Sequence, residues 1–339
     1  MRNEKHLVSI IIPIYNVEDF LDDTIQSVIN QSFNQWELIL IDDGSSDSSV
    51  SICEKYLQDM RIKLFQQDNS GVSIARNNGL LQASGDYIFF MDADDTIDKD
   101  FIKTCIEIAT KENYDLVVVG EYFKQRFPNI YALPTCAMFL KHSFLKKYSD
   151  IRFPKNIQPC EDGLFSHQLL ALTEKVGFNP LGIYHYRKHH NQNTQIIKKN
   201  TDDVLTQIPK WFEILEKFYI KYDLFKQKNV HLALFLQHEP YQLRYLDMPL
   251  NREQKEFVFR LIKTFFNKNL HLCETQKEIL SRDFRYFIKT NNSIEFDEFY
   301  QKYSKTHNFW VKVQLFFTKF IPFNTIRREQ RKKLNLLLK

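Results

Sequence analysis

Three carboxylates within four positions, Asp92, Asp94 and Asp95 around Ala93, directly follow the apolar run 87–91. A short apolar run bounded by polar residues reads as a buried strand, and open α/β sheets place their ligands beyond the C-terminal ends of such strands. Carboxylates this close repel one another unless a cation lies between them. Mg²⁺ or Mn²⁺ bearing phosphate oxygens fits, because such an ion takes one or two protein carboxylates and completes its shell from phosphate and water. The plainer reading is a solvated turn in which Asp95 or Thr96 caps a helix starting near Asp98. A helix–loop–helix calcium site does not fit, since Ile97 stands where that loop needs Gly and Lys103 where it needs Glu.

The elements that must hold this cluster alternate. Apolar, β-branched runs at 8–14, 37–41, 62–66, 87–91 and 116–119 predict strands, and helical patterns fall between them at 18–30, 46–58, 72–83 and 99–111. This order predicts a βαβ series with a mostly parallel sheet. Each strand runs into a polar turn: Pro13-Ile14-Tyr15-Asn16, Asp42-Asp43-Gly44-Ser45 and Gln67-Asp68-Asn69-Ser70-Gly71. The sheet therefore presents a polar edge. No Gly-x-Gly-x-x-Gly follows the first strand and no Gly-x-x-x-x-Gly-Lys-Ser/Thr occurs, which argues against a dinucleotide-dependent oxidoreductase and a Walker-type ATPase. With eight glycines in the chain, side chains and a metal rather than a backbone cradle would have to hold phosphate.

Taken in order, Val8-Ser9-Ile10-Ile11-Ile12-Pro13-Ile14-Tyr15-Asn16, Ser27-Val28-Ile29-Asn30-Gln31-Ser32, Glu37-Leu38-Ile39-Leu40-Ile41-Asp42-Asp43-Gly44-Ser45, Gly71-Val72-Ser73-Ile74-Ala75-Arg76-Asn77-Asn78-Gly79 and Met91-Asp92-Ala93-Asp94-Asp95 resemble the inverting family 2 glycosyltransferases of the GT-A fold. The resemblance is close over the first third and looser to about residue 195. It implies an α/β GT-A domain at 1–199, with a nucleotide-sugar half to about 110 and an acceptor half at 111–199. By that resemblance Pro13, Tyr15 and Asn16 form the nucleotide-facing lip, Glu18 reaches the ribose, and Asp42 or Asp43 accepts the imide hydrogen of uracil. Arg76 and Asn77 hold base and diphosphate, Asp92 touches the ribose beside Ala93, and Asp94 binds Mn²⁺ or Mg²⁺, with Asp92 as a second ligand. A UDP-sugar donor follows. Read without the family, Asp42 and Asp43 are a cap and turn through Gly44, and Arg76 is a solvated helix charge.

Inverting transfer needs a base on the acceptor side of the sugar. Gln158-Pro159-Cys160-Glu161-Asp162-Gly163 matches the family's Glu-Asp motif, which makes Asp162 the base and Glu161 its orienting partner. The alternative is two acidic residues stabilising a helix start, worth under about 1 kcal/mol. Ile183-Tyr184-His185-Tyr186-Arg187-Lys188-His189-His190 resembles the family's closing segment, a strand ending in Tyr-x-Tyr-Arg. Arg187 would meet the diphosphate, and His185 or His189 would supply a further metal or phosphate ligand. The segment departs from the family at Gln192-Asn193-Thr194, where a serine is common.

At 339 residues and 43% hydrophobic content the chain can bury more than one core. Its five cysteines are odd in number and form no Cys-x-x-Cys, so they are expected reduced and structural. Residues 1–5 lead straight into the first strand and no apolar run approaches about 18 residues, so neither a signal peptide nor a membrane span is expected. From about residue 200 the pattern turns helical, at 211–221, 230–237, 254–266 and 296–303, with Pro209, Pro240 and Pro249 as expected breaks. Residues 312–339 carry eight Lys/Arg and one acidic residue among many Leu and Phe, a basic amphipathic tail suited to an anionic membrane. No nucleic-acid module accompanies it.

The resulting expectation is a cytoplasmic enzyme, peripheral on the inner face of a bacterial membrane. It moves a hexose or N-acetylhexosamine onto a glycan or lipid-linked glycan of lipopolysaccharide or capsule type. Two other classes stay open at this point. A nucleotidyltransferase would show a Gly-rich triphosphate loop that 13–16 does not resemble, and a noncatalytic sugar-nucleotide-binding or scaffold module would show no turnover.

Overall fold

The computed structural model describes residues 6–124, 126–127, 129–189 and 201–320, with the isolated positions 327, 328, 330, 331 and 334. By compactness the chain divides into two units, 1–235 and 236–339.

The first unit is built on strands β1 (Val8–Ile14), β2 (Trp36–Asp42), β3 (Ile62–Gln66), β4 (Tyr87–Phe90), β6 (Leu116–Val119), β7 (Met138–Lys141) and β8 (Val176–Asn179) in one sheet of order β3-β2-β1-β4-β7-β6-β8. All pairs are parallel except those made by β7, which runs antiparallel to both β4 and β6. A separate two-stranded ladder joins β5 (Thr96–Ile97) to β9 (Tyr184–His185). Helices α1 (Glu18–Ile29), α2 (Ser49–Glu54), α3 (Val72–Gln82) and α4 (Phe101–Lys111) make the connections between strands, and a short α5 (His142–Lys147) follows β7. The expected mostly parallel α/β sheet is present.

Helices on both faces explain the unbroken apolar runs. Ile10, Ile12, Leu38, Leu40 and Phe89 pack with Leu21, Ile25 and Val28 of α1 and Ile102 and Ile106 of α4. The alternate residues Ile11 and Ile41 face α3 instead, so closely that a Cβ built on Gly79 would lie 2.3 Å from Ile11 Cγ2. Each fully buried aliphatic side chain contributes about 1.5–3 kcal/mol. The tight approach at Gly79 seats α3 against the sheet and so fixes Arg76 one turn earlier.

Three expectations are corrected. Sequence patterning missed β7 and β8, whose four residues each are too short to show a period. The helix expected at 46–58 is confined to α2, followed by turns. Pro209 does not break a helix: it lies inside α7 (Thr201–Lys221), where burial of Ile208, Trp211, Phe212 and Leu215 outweighs the one lost backbone bond. Helix α7 belongs to the first unit, with Tyr219 Oη 2.9 Å from His167 Nε2 of α6 (Glu161–Ala171).

The second unit is helical. Pro240 also fails to break its element, sitting inside a π-helix at Gln237–Leu246, whereas Pro249 does fall between helices. The helix Arg252–Asn269 starts at a reciprocal cap in which Gln254 N donates to Asn251 Oδ1 and Asn251 N to Gln254 Oε1, both at 2.9 Å. A 25-residue helix, Ser293–Phe317, begins where Asn292 caps Glu295 N. The C-terminal part of the expected basic tail, including 321–326 and 335–339, and the Gln192-Asn193-Thr194 segment lie outside the described residues. No helix among the described residues is long and apolar enough to cross a membrane.

Candidate active site

The polar ends of β1 and β2 are tied to each other. Asn16, at φ 48°, donates from its backbone N to Ser45 Oγ at 3.0 Å and accepts from Ser46 N at 2.8 Å through Oδ1. Glu18 Oε2 accepts from Ser48 N at 2.8 Å. Asp43 is spent on the next loop: Gln67 Nε2 and Ser70 N donate to Oδ1 at 2.7 and 2.8 Å, and Gly71 N donates to Oδ2 at 2.8 Å. Among the described residues the Asp42 carboxylate accepts a hydrogen bond only from the backbone N of Ser45, at 3.3 Å to each oxygen. Asp42 is thus the less committed of the pair expected to read a base. Pro13 pairs in register with Ile41, and the ring of Tyr15 is exposed.

Arg76 is the hub of the site. It rides on α3, is buried, and donates from Nη2 to Asp92 Oδ1 at 2.8 Å, with Nη1 3.5 Å from Glu161 Oε1. The guanidinium lies 5.3 Å from the centroid of Phe153. Its neighbour Asn77 spends its amide on the chain at Phe153, accepting from Phe153 N at 3.0 Å and donating to Phe153 O at 2.9 Å. Asn77, expected beside the diphosphate, here positions the ring beneath Arg76.

Glu161 and Asp162 open α6 directly after Cys160, whose backbone is left-handed at φ 83°. Burial, reinforced by the adjacent Asp162, pushes the Glu161 carboxyl up to about 7, although Arg76 pulls the other way. Burial likewise raises Asp162, and Gly163 N donates to its Oδ1 at 2.7 Å. A pair of carboxyls raised by burial beside one fixed cation is an arrangement suited to a proton acceptor.

The closing segment reaches the acidic cluster through backbone and side chains. Arg187 N donates to Asp95 Oδ1 at 2.7 Å, and His189 Nε2 lies 2.7 Å from Asp94 Oδ2. His189 stacks on Phe20 with centroids 4.6 Å apart, and the Arg187 guanidinium lies 5.0 Å from the same ring while donating to Asp23 Oδ2 at 3.1 Å. Tyr184 Oη accepts from Asp92 N at 3.2 Å. Thr24 Oγ1 lies 2.8 Å from both Ala93 O and Asp95 O, so α1 fixes the turn from beneath. Asp95 is buried, and burial drives its carboxyl up to about 7.

Two candidate histidines therefore separate. His185 is an exposed surface residue 2.5 Å from Asp98 Oδ1, and the β5–β9 ladder pairs it with Thr96. His189 is the one the fold brings to Asp94. Among the described residues no group of three or more His, Cys, Asp or Glu side chains is placed to hold an ion unaided. Asp94 with His189 offers one carboxylate and one imidazole, a mixed donor set that suits Mn²⁺ completed by phosphate oxygens better than the oxygen-seeking Mg²⁺, which would take the carboxylate alone.

Sequence reasoning missed Phe20, Asp23, Phe153 and the tie from Tyr184 to Asp92. Asp95 and Tyr184 lay within quoted motifs, while Phe153 carried no local signal.

Residues 9–168 match the family model described as glycosyl transferase family 2. The chain is 30% identical over 246 residues to an uncharacterized glycosyltransferase, EpsJ, of Bacillus subtilis, covering 64% of this chain and 71% of that protein. It is 29% identical over 326 residues to the minor teichoic acid biosynthesis protein GgaA of the same organism, covering 85% and 72%. Among solved structures, S. aureus TarS 1–349 in complex with UDP-GlcNAc superposes with a TM-score of 0.67 at 21% identity, over 82% of this chain and 85% of that one.

Proposed function

This chain belongs to glycosyl transferase family 2, and from that membership we propose that it moves a hexose or N-acetylhexosamine from a UDP-sugar to a hydroxyl of a bacterial surface glycan, with inversion at the anomeric carbon. The observation that carries this reading is the convergence on Arg76 of Asp92 from the donor half and Glu161 from the acceptor half, the latter beside Asp162. One buried cation joins the two halves of a transfer site.

In the proposed reaction Asp162 takes the proton of the acceptor hydroxyl as that oxygen bonds to the anomeric carbon, and the bond from that carbon to the diphosphate breaks with its electrons on the departing UDP. Glu161 keeps Asp162 and the acceptor oriented. Asp42 receives the uracil imide hydrogen, and the exposed ring of Tyr15 with Pro13 forms the wall of the base site. Arg187, anchored by its backbone to Asp95, offers a guanidinium to the diphosphate. Asp94 and His189, with Asp92 beside them, would hold Mn²⁺ or Mg²⁺, which when bound neutralises charge on the diphosphate.

The uridine assignment is supported by Asp42, whose carboxylate is held only by long bonds of 3.3 Å from Ser45 N, and by the fold shared with TarS, whose structure holds UDP-GlcNAc. A surface-glycan acceptor is supported by GgaA, a teichoic acid biosynthesis protein. This favours a teichoic acid type polymer over lipopolysaccharide or capsule, and we place the reaction at the inner face of the bacterial membrane.

Thermal unfolding with UDP-, GDP-, dTDP- and CMP-sugars, each with and without Mn²⁺, tests the donor. A ligand at 100 times its Kd stabilises the folded state by about 2.7 kcal/mol. The expected result is Mn²⁺-dependent stabilisation by a UDP-sugar that is lost in Asp94→Ala. Equal stabilisation by all four nucleotides, or none by UDP-sugars, would overturn it.

A further inference from the structure

The second half of the helix Ser293–Phe317 has an unusual surface. Phe309, Trp310, Phe316 and Phe317 are 60%, 58%, 52% and 60% exposed. Phe309, Val313 and Phe316 stand at i, i+4 and i+7, a spacing that lines one helix face, and Trp310 and Phe317 border it. Val311, about 200° around the helix from Phe309, is buried, so the side that packs is opposite the aromatic one.

Charge completes the pattern. Between Glu298 and Glu329 the sequence carries Lys302, Lys305, Lys312, Lys319, Arg327 and Arg328 and no acidic residue. Lys305 and Lys312 flank the aromatic stripe, and Lys319 Nζ lies 5.0 Å from the Phe316 centroid. A soluble surface rarely exposes four large aromatics on so short a segment. An apolar face with Trp and Phe, edged by lysines, suits the headgroup region of a lipid bilayer, where aromatic rings settle and lysines meet anionic headgroups.

We propose that this helix is an interfacial membrane anchor for anionic lipid, centred on 309–319 rather than on the tail beyond it. The all-cationic flank selects anionic headgroups over a zwitterionic surface and over a second copy of the chain, whose matching face would bring lysines against lysines. The anchor deepens the membrane placement given above, yet it is read without donor, acceptor or turnover, so failure of one does not imply failure of the other.

The chain supplies its own reporter. Of its three tryptophans, Trp36 and Trp211 are 1% and 0% exposed, so Trp310 dominates any solvent-dependent change in emission. With phosphatidylglycerol vesicles the full-length protein is expected to show a blue-shifted emission and loss of iodide quenching, with neither effect on phosphatidylcholine vesicles. Lys312→Glu with Lys319→Glu, both exposed positions, is expected to weaken binding at least about 25-fold, at about fivefold for each lysine removed. Phe316→Ser with Phe317→Ser should also abolish the shift while leaving Trp310 in place. No shift on anionic vesicles, an equal shift on neutral ones, or protection from iodide that grows with protein concentration alone would overturn the proposal, the last by making the face a self-association surface.

Discussion

Asp162→Asn is expected to lower kcat by about 10²–10⁴-fold, the usual contribution of a positioned general base, with little change in donor affinity. The amide cannot accept the acceptor proton, yet it keeps the size of the carboxylate and the bond from Gly163 N to its oxygen. In the wild-type protein kcat/KM is expected to rise with pH through an apparent value above the ordinary carboxylate range that belongs to the Glu161–Asp162 pair, because burial raises both carboxyls and the base must be ionised. The sign for stability is opposite. A carboxyl whose folded value is raised binds its proton more tightly in the folded state, so Glu161 stabilises the fold fully below its ordinary value of 4.5 and loses that contribution as pH rises through about 7. The rise in activity thus runs against the loss of stability. A flat pH profile together with an unimpaired Asp162→Asn variant would remove Asp162 from the chemistry.

Arg76→Met should be the most damaging single change to the framework of the site. Methionine fills much of the same volume against Phe153 but leaves Asp92 and Glu161 without their shared cation. Removing one partner from a buried ion pair costs about 3–5 kcal/mol, since the remaining charge stays desolvated. Urea denaturation is expected to show that loss at neutral pH and a smaller one near pH 5, where Glu161 is protonated and needs no partner. Lys at position 76 would keep the charge but lose the planar fork that spans both carboxylates, and recover only part of the stability. A variant as stable as wild type at pH 7 would mean that the Arg76 ion pairs do not hold the framework of the site together.

Most of the sheet could be read from the chain because its central strands are buried on both faces. Val8–Ile14 needs apolar residues at nearly every position, and that leaves a continuous signal with polar turns at its ends. β7 and β8 could not be read this way: their order in the sheet comes from pairing with β6 and β4, a long-range property that four residues do not encode. The same division holds at the site. Asp92, Asp94, Arg76, Glu161 and Asp162 lay in motifs whose order was legible, whereas the way they are shared was not. That Arg76 bridges two acidic motifs 85 and 16 residues away depends on how closely α3 approaches the sheet at Gly79. Motif reading gave Asn16, Glu18, Asp43 and Asn77 ligand roles, and in the structure their side chains also hold neighbouring backbone and loops in place. His185 and His189 were equivalent in sequence, and only the β5–β9 register sends one to Asp98 and leaves the other for Asp94. Pro209 and Pro240 misled because a missing N–H is a local cost that packing of a long helix can exceed.

The central claim is a single displacement in which Asp162 deprotonates the acceptor on the face opposite the leaving UDP. The most direct measurement is the anomeric configuration of the product, read from the proton coupling constant by NMR after turnover of an α-linked UDP-sugar. A β-linked product is the result expected; an α-linked product would require two displacements or attack from the leaving-group side and would contradict the mechanism.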